Sequence, residues 1–225
     1  MPVSNAHVAC LLGLTFTTGI IDALSWIGLD GVFTANMTGN VLIIGMGIIG
    51  AGGSHWFAPL FALVVFMLGA AVAGRIQRHA APGWGTRTSV LFGFVALVVI
   101  VLGVVTLFWQ PHRFASSALV ATGILGFVMG VQGAEAIRLA VPTIITVAVS
   151  STVVRLGTSL FLPPDGGARV RQLLAIALLI AGALAGSLLQ RASFGLALLC
   201  AGMLAAAIAA FGHTRLVTAP RPGRA

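Results

Sequence analysis

The sequence predicts an all-α, polytopic membrane helical bundle: six spanning helices plus two short or re-entrant segments (eight helices in total if both span), with a two-fold internal repeat. Three observations predict it. Of 225 residues, 59% are hydrophobic and only 7% charged, and the mean hydropathy is +1.10. A soluble domain carries roughly 25% charged residues, so lipid must face most of this exterior. The apolar runs are 18 to 22 residues long and do not alternate with polar positions. Barrel strands would be about 10 residues with a period of two, whereas a helix satisfies its own backbone in lipid. Third, the second half of the chain weakly repeats the first.

Six runs are long enough to cross, at about 20 residues each. The first, 8–28, contains Asp22 and is preceded by no basic segment, so it is expected to be retained as a helix rather than cleaved as a signal. After 56–75, the linker 76–88 with Arg78, Pro82, Gly83 and Arg87 reads as a loop. The run 89–109 leads to a second loop at 110–115, with Pro111, and then to 116–137. A third loop, 163–171, holds Pro163, Pro164, Asp165, Gly166 and Gly167 and precedes 172–190 and 194–211. Residues 1–212 thus form one transmembrane domain of two repeats, about 8–109 and 116–211. The basic tail 213–225 is expected to be disordered.

Segments 31–52 and 141–162 are polar or Gly-rich in part, and each reads as a short span or a re-entrant half-helix. Arginine placement favours re-entry. With eight crossings, and Arg155 inside a span, the loops divide six arginines against five, which orients nothing. With six crossings the division is ten against two: only Arg113 and Arg191 lie on the poorer side. That is a strong positive-inside bias, and it puts both termini in the cytoplasm.

The repeat has three ordered matches. G-I-I-D-A from Gly19 aligns with G-V-Q-G-A from Gly130 at an offset of 111. Thr34 to Gly45 aligns with Thr146 to Gly157 at 112, and Leu68 with Ala181 at 113. Three spans per half would invert the second half relative to the first, a recurring transporter plan.

These same residues carry a family resemblance. G-I-I-D-A with T-A-N-M-T-G-N, then G-V-Q-G-A-E-A-I-R-L, V-P-T and S-S-T-V-V-R-L-G, resembles the YoaK-like family of bacterial membrane proteins over about 8–211. Ser150 and Ser151 depart from the family pattern, in which Thr and Gly are usual. The resemblance implies a multi-pass bacterial inner-membrane protein and supplies no substrate.

Function must therefore be read from polar residues at membrane depth. A carboxylate at a helix centre costs about 2.5–3.5 kcal/mol on insertion scales, and such groups tend to mark pathways. Asp22 and Glu135 fall at near-equivalent repeat positions, since Leu24 aligns with Glu135. If they approach one another they could carry protons. The alternative for Glu135 is simple neutralisation by Arg138, three residues on, or by Arg155. Thr34, Asn36, Thr38, Gly39 and Asn40, with Gln132, Thr146, Ser150, Ser151 and Thr152 in the second half, could line a solute site or cap half-helices. Gly182 and Gly186, with Gly69 and Ala73 opposite in the repeat, read as helix-packing positions. Trp26, Trp56, Trp84 and Trp109 read as interfacial anchors.

Other classes are disfavoured. All twelve basic residues are arginine, scattered at run ends without interleaved aromatics, which argues against nucleic acid. The five histidines have no paired metal spacing, no G-x-S-x-G is present, and a chain without lysine has no P-loop lysine. Cys10 and Cys200 read as small apolar side chains. No enzyme activity and no cofactor are expected. The expected partners are the lipid bilayer and an unidentified small solute or ion, with a homo-oligomer compatible. The leading expectation is a small-solute transporter or channel, and its rival a membrane scaffold or accessory subunit. Convergence of Asp22, Asn36, Thr38, Glu135 and Ser151 on one cavity would favour the first.

Overall fold

The computed structural model describes residues 4–51, 55–81, 83–111, 115–139, 149–158 and 167–218. They form eight α-helices: α1 (Asn5–Gly28), α2 (Met37–Ile48), α3 (Phe57–Gln77), α4 (Thr86–Phe108), α5 (Ser116–Leu139), α6 (Val149–Thr158), α7 (Ala168–Gln190) and α8 (Phe194–Gly212). No strand occurs among the described residues. Six helices are long and apolar enough to cross a membrane: α1, α3, α4, α5, α7 and α8. The expected runs match them to within a few residues. The loop expected at 76–88 is shorter, because α3 continues through Gln77 and α4 begins at Thr86. With 12 and 10 residues, α2 and α6 rise about 18 and 15 Å, well short of a hydrocarbon core about 30 Å thick.

Helix direction decides the number of crossings. Gly19 of α1 lies against Gly182 of α7, and Gly186 against Ile20, so both numbers rise together and the pair is parallel. Gly123, Gly126 and Gly130 of α5 meet Phe61, Ala62 and Phe66 of α3, which is parallel again. Gly103, Gly195 and Gly202 fix α4 and α8 as antiparallel, since Leu199 meets Gly103 while Ile100 meets Gly202. Eight alternating crossings would make α4 and α8 parallel. Only six crossings, with neither α2 nor α6 spanning, give all three directions.

The same contacts sort the helix ends onto two faces. On the proximal face lie the start of α1, the end of α3, the start of α4, the end of α5 and the end of α8. There His7 meets the Trp84 ring edge-on at 5.8 Å, Trp84 packs on Gly212, and Gln77 and Thr88 lie beside Glu135 and Arg138. On the distal face Gly28 packs on Gln190 and Phe194. Ser4 caps α1 by accepting the His7 N–H, and Ser193 caps α8 by accepting that of Leu196.

Close approach explains the glycines. A Cβ at Gly69 would strike the Phe127 carbonyl oxygen, and one at Gly130 that of Phe66. Across the other pair, Gly182 meets the Phe16 carbonyl and Gly19 that of Leu179. Gly186 adds the Ile20 carbonyl, so the expected packing motif is present as backbone contact.

Two expectations need correction. Trp84 is buried against Phe92 and His7 rather than presented to lipid, because the α3–α4 turn folds it over the end of α8. The tail does not begin at His213: His213–Val217 form a π-helical turn continuing α8, and the Thr218 hydroxyl donates to the Thr214 carbonyl. Residues 219–225 lie outside the described part.

Candidate functional site

Among the described residues, the polar side chains around the two intrahelical acids form two clusters joined by a bridge. The distal cluster surrounds Asp22. After α1 the chain turns at Gly31, whose φ of 65° suits glycine, and runs back along α1 before entering α2. This return leaves backbone N–H groups at membrane depth, and Asp22 answers them. Its Oδ1 accepts from the N–H of Thr34 at 3.0 Å, the N–H of Ala35 at 2.8 Å and the Thr34 hydroxyl at 3.5 Å. Ser25 and Thr34 share a hydroxyl–hydroxyl bond of 3.1 Å.

Asn40 holds the same segment from the other side. Its Oδ1 accepts the Phe33 N–H at 2.9 Å and its Nδ2 donates to the Phe33 carbonyl at 2.7 Å, so one amide replaces a missing backbone partner. Asn36 caps α2 through the Gly39 N–H, and Gly39 leaves room for the Phe33 ring. Thr34 and Asn40 are buried; Asn36 and Thr38 are exposed.

The proximal cluster surrounds Glu135, which is 1% exposed. Its Oε2 accepts from Gln77 Nε2 at 2.9 Å and pairs with Arg138 at 3.3 Å. Arg138 also donates to the Thr88 hydroxyl and to the carbonyls of Gly83 at 3.1 Å and Ala81 at 3.3 Å. This knot ties α3, α4, α5 and the α3–α4 turn together. Gln77 Oε1 and Arg138 Nε are buried without a partner among the described residues. Each such atom costs about 1–3 kcal/mol unless water reaches it.

Between the clusters, Gln132 Nε2 donates to the Thr18 hydroxyl at 3.0 Å, and Thr18 donates to the Leu14 carbonyl. Thr18 and Asp22 are four residues apart on α1, and Gln132 and Glu135 three apart on α5, so each pair shares a helix face. Helices α1 and α5 run oppositely. Asp22 therefore lies distal of the bridge and Glu135 proximal of it, about 10 Å apart along the axis. The two acids do not converge on one cavity. They terminate a polar line, Asp22–Thr18–Gln132–Glu135, that follows the α1–α5 seam.

A family model described as "Protein of unknown function (DUF1275)" matches residues 10–211. The chain belongs to the DUF1275 family. It is 28% identical over 147 residues to the UPF0700 transmembrane protein YoaK of Bacillus subtilis (strain 168), a match covering 64% of this chain and 62% of that protein. The chain thus matches less than two thirds of that relative's length. No solved structure gives a significant match. This DUF1275 chain is a membrane protein, as its six apolar helices require.

The remaining sequence candidates of this DUF1275 chain sit elsewhere. Thr152 is buried on α6, which packs on α7. Ser150, Ser151 and Arg155 belong to α6 by backbone, but their side chains, like all of Thr146, lie outside the described part. Sequence reasoning missed Thr18, Ser25, Gln77 and Thr88. For Thr18 a signal existed, its i,i+4 spacing from Asp22. Gln77 was hidden by its place at a run end, where polarity is ordinary.

Proposed function

We propose that this protein is a small-solute transporter coupled to proton movement, with its path along the α1–α5 seam. The observation that carries this reading is the Gln132–Thr18 bond between α1 and α5, with Asp22 and Glu135 one helical turn away from it on opposite sides. Polar groups in a bilayer core are retained where they have a purpose, and these four link the depths of both faces. The proximal end is sealed by the Gln77–Glu135–Arg138 knot, while Asp22 is only partly covered. Such asymmetry suits one state of an alternating-access cycle.

Helix pairing supports an inverted duplication. The α1–α7 pair and the α3–α5 pair are each parallel, with glycine-to-carbonyl contacts at corresponding positions. Exchanging the halves turns one pair into the other and α4–α8 into itself. Inverted repeats with short, non-spanning helices are a known transporter plan. Ten arginines against two support a reading with the proximal face and both termini on the cytoplasmic side of a bacterial inner membrane. No catalytic step belongs to this reading.

A membrane scaffold is the second reading. It is favoured by the structural use of Asp22 Oδ1 and Asn40, which stitch residues 33–35 to their neighbours. Proteoliposomes decide between them. With a pH dye inside and a mixture of small metabolites outside, wild type should move protons with solute, while Asp22→Asn and Glu135→Gln should each lose most of that flux. Equal flux in all three, or none in wild type across the mixture, leaves the scaffold.

A further inference from the structure

We propose that Asp22 and Trp26 form a distal-face binding site for an organic cation, an ammonium-type compound with an apolar body. This rests on the transporter reading and names its substrate class. Three hydrogen bonds from residues 34 and 35 converge on Oδ1 of Asp22, and the Asn36 backbone N–H also bonds the carboxylate, so its partners are backbone N–H groups and one hydroxyl, none of them charged. The carboxylate sits six residues before the end of α1, about 9 Å inside the bundle. It is partly exposed, and no basic side chain is among its hydrogen-bonding partners. A carboxylate so placed calls for a positive charge.

The surroundings select the kind of cation. A hard metal ion wants six or more oxygens, and among the described residues no group of three His, Cys, Asp or Glu side chains could hold one. What lies beside Asp22 is aromatic. Trp26 is one helical turn further on the same face, and it is 44% exposed. Phe33 stacks on one side of its ring at 4.8 Å with an interplanar angle of 18°, leaving the other side as a flat, electron-rich surface. A carboxylate oxygen and a tryptophan face one turn apart suit an organic ammonium group.

The test uses the purified full chain in detergent and two probes of one shape and opposite charge, tetraphenylphosphonium and tetraphenylborate, with binding read by equilibrium dialysis. Tetraphenylphosphonium should bind saturably to wild type, and tetraphenylborate should not. Affinity should fall at least about tenfold in Asp22→Asn and several-fold in Trp26→Ala, with Trp26→Phe in between. Asparagine keeps an Oδ1 acceptor for residues 34 and 35, so the fold is retained in the decisive variant. Equal affinity in Asp22→Asn, or equal binding of the two probes, overturns the site. Failures separate cleanly. If protons and solute cross liposomes in an Asp22-dependent manner and the phosphonium neither binds nor competes, the cation site is wrong and transport stands. If Asp22-dependent binding occurs without flux, the site stands and transport fails.

Discussion

The two acids within the long helices are held in opposite ways. Asp22 accepts from backbone: its partners are the N–H groups of a chain segment that no helix or strand serves. Glu135 accepts from side chains on two helices, and its arginine is held in turn by a third helix and a turn. One acid fixes the entry to a short helix; the other fixes three long helices to each other. Local backbone service can be kept by any acceptor of similar shape. A buried ionic knot cannot lose a member without stranding the others.

The largest expected effect follows from that asymmetry. Glu135→Ala leaves Gln77 Nε2 without its best acceptor and Arg138 without its counter-charge. Arg138 keeps two carbonyls and Thr88, so the cost falls near the low end for a broken buried pair, about 3 kcal/mol. Thermal unfolding in detergent should show it, and Glu135→Gln should recover part of the loss. If Glu135→Ala unfolds with wild type, the knot holds nothing together.

Next comes the distal acid, where the comparison can be sharpened within one position. Asp22→Asn keeps an oxygen facing residues 34 and 35 and should cost about 1 kcal/mol, the difference between a charged and a neutral acceptor. Asp22→Ala strands two N–H groups and should cost about 2 kcal/mol. Its signature should be local: proteolysis or hydrogen exchange should rise in the 29–36 segment before the long helices loosen. Uniform loosening would mean that Asp22 supports the bundle as Glu135 does.

How legible this was differs between the levels of structure. The six long helices were readable because lipid imposes length and polarity on them directly, and Arg113 and Arg191 alone on one side favoured six crossings over eight. Pairings between distant helices were not readable. Gly69, Gly182 and Gly186 announced close packing, but which carbonyl each would meet depends on a three-dimensional crossing that spacing does not encode. Asp22 and Glu135 stand out in the sequence as the acids within apolar runs, but their separation across the Gln132–Thr18 bridge follows from the opposite directions of α1 and α5, which the sequence does not encode. Trp84 misled because a tryptophan at a run end suits a membrane interface and a folded turn equally well.

The smallest expected effect tests whether the distal cluster is a chain of independent bonds or one unit. Ser25→Ala removes the hydroxyl that pairs with Thr34 at 3.1 Å, while Ser25 also donates to the Ile21 carbonyl at 2.6 Å. That carbonyl has its helical partner regardless, and Thr34 retains Asp22. The loss should therefore be small, about 0.5–1 kcal/mol. In a double-mutant cycle with Asp22→Asn, independent bonds would add to within about 0.5 kcal/mol. Because the Thr34 hydroxyl touches both Ser25 and Asp22, coupling above that margin is expected. Additive costs would show the two contacts acting separately, and the distal cluster would then lack the cooperativity expected of the proximal knot.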